Sequence, residues 1–283
     1  MPQNYPLGLD ERFKSYVYKG LGPHLVHSLR TKISDHQMDE VDLVYDFFGM
    51  ADNTGKLMID VGAHYGTSLG RFAADGWQVH AFEPDDHNRS ILRMRHGSRP
   101  NLKINACAVS DTAAEAVPFY RSDVSSGISG LAAFDKSHSK SQSVSLTTLD
   151  AYCDQQGIGD IDFLKIDTEG HDLLVLKGLD FGQRQPSVVV CEFEDKKTLP
   201  RGYSRHDLAN FLLSKGYNLV ISEWHPIKEY GQRHEWKAFR VAMAETDDRS
   251  WGNIVAFADE LPQERVPITT SDLRRSSKPD GLY

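Results

Sequence analysis

Apolar runs of strand length alternate with helical stretches from about position 57 onward. The runs are rich in β-branched or aromatic residues and apolar enough for burial on both faces, as strands of a parallel sheet are. We interpret five runs as core strands: LMIDVG, WQVHAFE, LKINACAV, FLKID and SVVVCEFE. Thr67 and either Asp85 or Asp86 are predicted helix caps, with helix ends at Gly76 and Gly97. This alternation predicts an α/β fold with a doubly wound sheet.

The stretch from Asp111 to Asp160 interrupts this order. Two strand-like segments, VPFYRS and QSVSLTT, flank the Ser/Gly-rich sequence SDVSSGISG, which predicts an inserted hairpin with a mobile loop. A helix is predicted to begin near Thr148, and another to run from Ser204 to Lys215. With YNLVISE, WKAFRVAM and NIVAF as further strands, the prediction is a mostly parallel seven-stranded sheet whose last hairpin is antiparallel.

The two ends of the chain differ from this core. Residues 39–48 have helical periodicity and predict a helical lead-in. Its apolar face is formed by Val41, Val44, Tyr45 and Phe48. The last residues are polar, contain proline and lack periodicity, which is typical of a flexible tail. The predicted division is an N-terminal helical extension over 1–50, an α/β domain over 51–261 and a flexible C-terminal tail over 262–283.

Composition and charge narrow the classes of function. The 283 residues include 40 Asp and Glu against 32 Lys and Arg, a net charge of −8, which argues against nucleic acid as the main partner. No apolar run approaches the roughly 18–20 residues that span a bilayer, and the N-terminal sequence lacks the apolar region of a secretory signal. We therefore expect a cytoplasmic protein without a membrane span, whose cysteines, Cys107, Cys153 and Cys191, are thiols.

The loop after the first strand candidate carries the first ligand signal. In a doubly wound sheet, ligands bind outside the carboxyl ends of the strands. Gly62 permits a tight turn after Asp60, and Gly66 lets the next helix pack near the strand. His64 stands where a dinucleotide fingerprint has its second glycine, which disfavours a pyrophosphate. Asp60 suits a ligand with an amino group, as in S-adenosylmethionine (SAM), although a tight turn without a ligand is the alternative.

Two further acidic strand ends fit the same cofactor. Glu83 follows Asp60 by 23 positions, close to the roughly 20-residue offset at which an acid meets ribose hydroxyls. An acid that only caps the next helix is the alternative. Ser110 and Asp111 end the third strand candidate, where Asp111 is placed to accept from an adenine amino group. An ordinary Ser-Asp turn explains that pair as well.

The fourth strand candidate runs into KIDTEGHDLLVLKG, where ionisable groups cluster at a buried strand end. With DVGAHYG, HAFEPD, AVSD and a TLD segment before this block and in this order, the chain resembles the FkbM family of SAM-dependent methyltransferases over roughly 57–194. The resemblance implies a class I methyltransferase fold, which is Rossmann-like. It also implies methyl transfer from SAM to an oxygen, commonly a hydroxyl of a sugar, a polyketide or a similar natural product.

The resemblance also assigns residues. It implies cofactor contacts for the loop of Asp60 and Gly62, for Glu83 at the ribose and for Asp111 near the adenine. The acidic active-site block then contains Asp167, Glu169 and Gly170. His64 departs from the family pattern, which has a small amide there, so the contact of this loop with the cofactor stays open.

Transfer to a hydroxyl benefits from a base that accepts its proton. We predict Asp167 and Glu169 for positioning and charge and His171 as the base, because an imidazole titrates near neutral pH. One alternative is that Asp167 or Glu169 is the base. The other is that Asp167 only caps a helix while Glu169 and His171 are solvated loop groups. The block and the nearby Glu192 and Glu194 offer oxygen ligands for a hard cation, but their spacing does not require one, and no metal is predicted.

The preferred interpretation is a SAM-dependent O-methyltransferase that acts on a small-molecule or glycan acceptor. Two other classes stay open at this point. One is a nucleotide-binding oxidoreductase or sugar-modifying protein, which His64 and the KIDTEG block disfavour. The other is a non-catalytic SAM-binding scaffold. The sequence identifies neither the acceptor nor the oligomeric state.

Overall fold

The computed structural model describes residues 38–48, 55–230 and 234–258. Its strands are β1 (Leu57–Val61), β2 (Gln78–Phe82), β3 (Leu102–Asn105), β4 (Ala108–Val109), β5 (Ala114–Ser122), β6 (His138–Thr147), β7 (Phe163–Ile166), β8 (Val188–Phe193), β9 (Tyr217–Trp224), β10 (Trp236–Arg240) and β11 (Trp251–Ala258). Its α-helices are α1 (Glu40–Phe48), α2 (Gly70–Ala74), α3 (Asp86–His96), α4 (Leu149–Gln156), α5 (Asp172–Lys177), α6 (Asp195–Thr198) and α7 (Arg205–Ser214). Short 3₁₀ turns occupy Ser126–Ile128, Leu199–Arg201 and Met243–Glu245.

The main sheet has eight strands in the order β10-β9-β11-β8-β7-β1-β2-β3. Strands β3, β2, β1, β7 and β8 are parallel, as predicted. β11 lies antiparallel between β8 and β9, so the antiparallel strands are the last ones of the chain, as predicted. The sheet has eight strands and not the predicted seven, because all eight runs named as strand candidates contribute to it, with β10 at the edge antiparallel to β9.

The run LKINACAV is two strands, and the prediction of one strand is wrong. β3 pairs with β2 in the main sheet, whereas β4 pairs with β6 in a separate three-stranded sheet. At the break, Asn105 Nδ2 donates to the carbonyl of Ala81 and to the hydroxyl of Tyr152. The chain changes partner sheet there, which local hydrophobicity does not reveal. The predicted hairpin is confirmed as the antiparallel pair of β5 and β6.

Helix boundaries agree with the capping residues in most places. Asp85, Thr148 and Ser204 accept hydrogen bonds at the starts of α3, α4 and α7, as predicted. The cap predicted at Thr67 is wrong, because α2 begins only at Gly70 and its N-cap makes no side-chain hydrogen bond. The predicted lead-in helix is α1, while the predicted C-terminal tail lies outside the described residues, and the domain limits stay predictions.

Two apolar layers cover the main sheet, one on each face. Side chains alternate along a strand, so Ile59 of β1 packs with α4, α5 and α7, while Met58 packs with α1, α2 and α3. The strands are therefore buried on both faces, which explains their continuous apolar character. Within 38–48, 55–230 and 234–258, no helix combines the length and the apolar character needed to cross a membrane.

A buried ion pair joins the two central strands. The register places Asp60 of β1 opposite Lys165 of β7, and their Oδ1 and Nζ atoms are 3.2 Å apart. Asp60 is fully buried, and its Oδ2 accepts from the Ser68 hydroxyl at 2.6 Å. Burial opposes the charge of Lys165, but Asp60 and Asp167 outweigh burial and raise the pKa of the lysine. Lys165 therefore keeps its charge at neutral pH.

Removing the lysine leaves the buried Asp60 without its counter-ion. We expect Lys165→Met to lower the free energy of unfolding by about 3–5 kcal/mol, as for other broken buried pairs. The double variant Asp60→Asn/Lys165→Met restores most of this loss. Urea unfolding followed by circular dichroism measures the effect, with Lys103→Met on the exposed side of β3 as the control. Equal stability of Lys165→Met and Lys103→Met would show that the pair contributes little.

Candidate active site

A cavity opens where the carboxyl ends of β1, β2 and β7 meet. β4 and the loop between β5 and β6, here called the hairpin loop (residues 123–137), complete its wall. Six of the predicted site residues line the cavity: Gly62, His64, Glu83, Asp167, Glu169 and His171. Four others do not line it: Asp60, Gly66, Ser110 and Asp111.

The loop after β1 (residues 62–66) approaches the end of β7 very closely. It is called the cofactor loop here, after the contact that the sequence predicts for it. Gly62 has φ +82°, and a Cβ there would lie 1.9 Å from the carbonyl oxygen of Asp167. Only glycine fits this position, both for its conformation and for the space available. The amides of Gly62 and Ala63 both donate to the carbonyl of Phe82 on β2. The loop is thereby fixed against both neighbouring strands.

His64 has a left-handed backbone conformation, which residues other than glycine rarely adopt. Its φ is +48°, and its amide donates to Glu83 Oε2 at 2.7 Å. The imidazole stacks on Tyr65 and contacts Ser126 of the hairpin loop, Nε2 to Oγ at 2.9 Å. Burial lowers the pKa of the imidazole, so the ring is neutral at neutral pH. The departure from the family pattern thus ties the cofactor loop to the hairpin loop.

Glu83 is a buried carboxylate that faces the cavity. Its two oxygens accept from the amides of His64 and Asp85, at 2.7 and 2.8 Å. Burial raises the pKa of Glu83 to about 7, against the effect of these two hydrogen bonds. Each oxygen keeps a second lone pair, so the fixed carboxylate is able to accept two more hydrogen bonds from a ligand.

Asn88 is a site residue that the sequence reasoning missed. It lies on α3, is only 3% exposed and lines the cavity. Its Oδ1 is buried and has no hydrogen-bond partner among the described residues. A buried carbonyl oxygen without a partner is costly, so it indicates a ligand donor at this place. Its position five residues after Glu83, on the buried face of the helix that Asp85 caps, was the available signal.

Asp60 lies beneath the cavity and acts through its neighbours. Its two oxygens are occupied by Lys165 and Ser68. Lys165 Nζ also approaches the carbonyl of Gly62 and Oδ2 of Asp167, both at 3.4 Å. The structure therefore places Asp60 behind the cofactor loop, while Asp167, whose side chain is 46% exposed, reaches into the cavity. Gly66 packs against α3 instead.

The acidic block after β7 has an unusual backbone. Glu169 has φ +57°, a conformation that residues other than glycine rarely adopt, and Gly170 follows with φ +84°. A Cβ on Gly170 would lie 2.8 Å from Cβ of Lys197. Strain of this kind persists where surrounding contacts hold it, often at functional sites. Here it turns a buried carboxylate toward the cavity.

The ammonium of Lys197 contacts three carboxylates of this region. Its Nζ lies 2.7 Å from Glu169, 2.8 Å from Glu192 and 3.0 Å from Glu194, all buried. Burial raises the pKa of Glu169 to about 7, although Lys197 opposes this rise. Oxygens of Asp167, Glu169 and Glu192 lie within 4.8 Å of one another, a spacing that a metal ion would accept. The Lys197 ammonium supplies a cation beside two of these three residues, Glu169 and Glu192.

Both nitrogens of His171 are engaged. Arg201 donates to Nδ1 at 2.8 Å, so the ring proton lies on Nε2 and is donated to the Ser110 hydroxyl at 2.9 Å. Ser110 in turn donates to Asp111 at 3.1 Å. Burial, with Arg201, lowers the pKa of His171 to about 4. The imidazole is therefore a neutral part of the wall, and Ser110 and Asp111 lie behind it.

The hairpin loop lies across the cavity. The hydroxyl of Ser126 contacts His64 and also the hydroxyl of Tyr65, the latter at 3.0 Å. Further along, the backbone of Gly130 passes close to Glu169, with a virtual Cβ 3.4 Å from its Cβ. The loop thus covers both the cofactor loop and the acidic block, and its predicted mobility stays a prediction.

The sequence of this chain matches a known protein family. The methyltransferase FkbM domain matches residues 60–219, which include the cofactor loop, Glu83 and the acidic block. The chain belongs to the FkbM methyltransferase family. Among curated proteins, none shows significant sequence similarity to it.

Two of the solved structures that are similar to this FkbM protein are methyltransferases by name. The precorrin-6Y C5,15-methyltransferase of Geobacter metallireducens is 12% identical, with a TM-score of 0.40 over 77% of this chain and 86% of that chain. The magnesium protoporphyrin IX methyltransferase of Synechocystis PCC 6803, solved with SAM, is 12% identical, with a TM-score of 0.41 over 88% and 90%. The FkbM protein has the class I methyltransferase fold, with a mostly parallel sheet and antiparallel end strands.

The cavity fits SAM, the methyl donor of FkbM methyltransferases. Among the described residues, its wall contains three carboxylates, Glu83, Asp167 and Glu169, and neither lysine nor arginine. A cationic donor without phosphate suits this charge, whereas a dinucleotide does not. Glu83 offers acceptors for ribose hydroxyls, and the orphaned Oδ1 of Asn88 offers one more for a ligand N–H or O–H.

Replacing Asn88 removes the unpaired acceptor. We expect Asn88→Leu to weaken SAM binding about tenfold or more, because a ligand donor left unpaired in a buried site costs about 1–3 kcal/mol. Asn88→Asp keeps an oxygen in place and retains binding. Isothermal titration with SAM and S-adenosylhomocysteine measures both variants. Unchanged affinity of Asn88→Leu would remove Asn88 from the cofactor site.

The affinity for SAM is predicted to depend on the charge of Glu83. Because burial raises the pKa of this group to about 7, part of the free protein carries it protonated at neutral pH. Ribose hydroxyls favour the carboxylate, so binding should tighten as the pH rises from about 6 to about 8. Glu83→Gln abolishes the contribution of Glu83 to this dependence and weakens binding. Calorimetric titrations across this range test it, and an identical pH dependence in both proteins would contradict it.

Proposed function

We propose that this FkbM protein transfers the methyl group of SAM to a hydroxyl of a sugar, a glycan or a hydroxylated secondary metabolite. The observation that carries the proposal is Glu169, a buried carboxylate held in a left-handed conformation at the cavity wall. Burial raises its pKa to about 7. A general base is most effective when its pKa lies close to the pH at which the reaction takes place.

When bound, SAM supplies an electrophilic methyl group on a sulfonium. The carboxylates of the wall orient this donor: Glu83 holds the ribose, and Asp167 places negative charge at the amino-acid and sulfonium end. Such fixed charges are effective because they need no reorganisation during the reaction. Most of the acceleration then comes from alignment of the acceptor oxygen with the methyl carbon.

Glu169 receives the proton in this proposal. As the bond between the acceptor oxygen and the methyl carbon forms and the carbon–sulfur bond breaks, the hydroxyl proton moves to the carboxylate. The sulfonium becomes the neutral sulfide of S-adenosylhomocysteine, and the product is an ether. Glu169 is suited to this step because Oε2 faces Lys197, which leaves Oε1 for the acceptor.

His171 has a different role in this proposal than the sequence predicts. Its Nδ1 accepts from Arg201, and its Nε2 donates to Ser110. With a pKa lowered to about 4 by burial, the ring has little affinity for a proton at neutral pH. We therefore assign the proton to Glu169 and a positioning role to His171.

The hairpin loop supports an uncharged acceptor. Residues 124–131, VSSGISGL, contain no charged side chain, and Gly130 passes directly over Glu169. An acceptor that enters beneath this loop meets hydroxyls, backbone and apolar surface. Hydroxylated sugars and natural products match that surface, whereas a phosphorylated acceptor finds no lysine or arginine on the described cavity wall.

The assignment of Glu169 as the base predicts a loss of catalytic rate when its carboxylate is replaced. Glu169→Gln should lower kcat about 10²–10⁴-fold, because the amide keeps the shape but accepts no proton. Affinity for SAM should stay within about twofold, since the donor is held elsewhere. Methyl transfer from radiolabelled SAM to a panel of glycans and hydroxylated metabolites, with mass spectrometry of the products, measures the effect. Glu115→Gln, on the exposed part of β5, is the matched control.

Two outcomes would contradict the proposal. SAM binding without transfer to any acceptor, together with no metabolite in the producing cell that depends on the protein, favours a non-catalytic scaffold. Methylated products that carry the new methyl group on nitrogen or carbon would contradict the choice of oxygen.

A further inference from the structure

Lys197 is the most deeply buried charge beside the proposed base. It lies on α6, which follows β8 directly, and its side chain is 2% exposed. Its ammonium contacts Glu169, Glu192 and Glu194 at 2.7–3.0 Å. One cation therefore faces three carboxylates that belong to two different strand ends.

The packing around Lys197 leaves little freedom for the ammonium. Gly170 has no side chain where Cβ and the carbonyl of Lys197 pass, at 2.8 and 3.1 Å from a virtual Cβ. Two aromatic rings lie on the other side, with centroids 5.7 Å (Phe134) and 6.0 Å (Tyr230) from Nζ. Tyr230 also donates to Glu194 at 3.0 Å. The ammonium is thereby held by elements from both sides of the cavity.

The ammonium lies in a crowded group of carboxylates. Glu169 and Glu192, which contact it, each have an oxygen within 4.8 Å of an oxygen of Asp167, and the mutual repulsion of such groups is opposed by a nearby cation. The ammonium supplies that charge with a fixed position and a fixed protonation state, since the surrounding carboxylates raise the pKa of Lys197 against the effect of burial.

We propose that Lys197 is the positioning residue of the reaction, an internal counter-ion that keeps Glu169 ionised and aimed at the acceptor. The inference rests on the proposed function of Glu169 as the proton acceptor. With Oε2 bound to the ammonium, the carboxylate has one orientation, and Oε1 is left for the acceptor. Without the ammonium, burial and the neighbouring carboxylates hold Glu169 in its protonated form. A protonated carboxyl group is unable to accept the proton of the acceptor hydroxyl.

The charged groups around Glu169 determine whether a substitution raises or lowers its pKa. Lys197 lowers its pKa, whereas burial, Asp167 and Glu194 raise it. Lys165 faces Asp167 from β7, and His234 and Tyr230 face Glu194 from the segment between β9 and β10. Glu192 completes the set on β8. Removal of Lys197 therefore raises the pKa of Glu169, and removal of the charge of Glu194 lowers it.

The test compares Lys197→Met with Lys196→Met. Lys196 is the neighbouring lysine, 55% exposed, on the same short helix. For Lys197→Met we expect the acid limb of kcat/KM to move upward by about one pH unit or more and kcat at neutral pH to fall about tenfold or more. SAM affinity stays within about twofold. Lys197→Arg recovers part of the rate, and Lys196→Met leaves the profile unchanged.

A second variant keeps the test valid if Lys197→Met folds poorly. Glu194→Gln retains the shape and an oxygen for Tyr230, and it should move the acid limb to lower pH, the opposite direction. A structural role alone would not move the limb in opposite directions in the two variants. An unmoved acid limb in Glu194→Gln, or in a folded Lys197→Met, overturns the inference when the ionisation midpoint of Glu169 is unshifted as well.

A titration independent of turnover separates this inference from the proposed function. NMR of protein with carboxyl-labelled glutamate follows the ionisation of Glu169, with Glu169→Gln for assignment. A raised midpoint in Lys197→Met, with an unshifted rate profile, means that Lys197 controls the charge but Glu169 is not the base. An unshifted midpoint overturns the role of Lys197 whatever the base is.

Discussion

A lysine buried between two carboxylates holds the site together. Lys165 joins Asp60 on β1 to Asp167 at the end of β7, and it also reaches the carbonyl of Gly62. β1 and β7 are the neighbouring strands at which the order of the sheet reverses, so their following loops diverge and leave the cavity between them. The ion pair fixes the spacing of these two loops. Through Ser68, Asp60 also ties the turn before α2 to the same point.

The other charged groups on the cavity wall are carboxylates, one of which is held by a second lysine, Lys197. Asp167 reaches into the cavity, Glu83 is fixed by two backbone amides, and Glu169 is held by Lys197. Each carboxylate has a different set of partners, so the three do not behave alike. His171 stays neutral because Arg201 and burial both oppose its protonation. An acidic cavity of this kind suits a cationic donor, and each buried acid is able to persist because a lysine or backbone donors face it.

Much of the fold follows from local chemistry that is visible in the sequence. The caps at Asp85 and Ser204 and the continuous apolar runs predict the helices and the parallel strands, because hydrogen bonds at helix ends and burial on both faces leave local signatures. Thr67 shows the limit of this reasoning, since a suitable capping residue is present but the chain makes a turn there instead. The prediction of LKINACAV as one strand is wrong for a similar reason. Its second part, β4, pairs with β6, a strand that lies far away in the sequence.

By itself the sequence determined the class of fold, the strand ends that meet at the site, and the residues Glu83, Asp167 and Glu169 on its wall. The fold class and the strand ends follow from periodicity and from the rule that parallel strands place their carboxyl ends at one edge, whereas the resemblance to the FkbM family assigned the three acids to the site. Only the tertiary structure decided which groups face each other: the pair of Asp60 with Lys165, the orphaned oxygen of Asn88, and the ammonium of Lys197 among three glutamates. Burial and charge pairing depend on distances between residues far apart in the chain, and a linear pattern does not contain those distances.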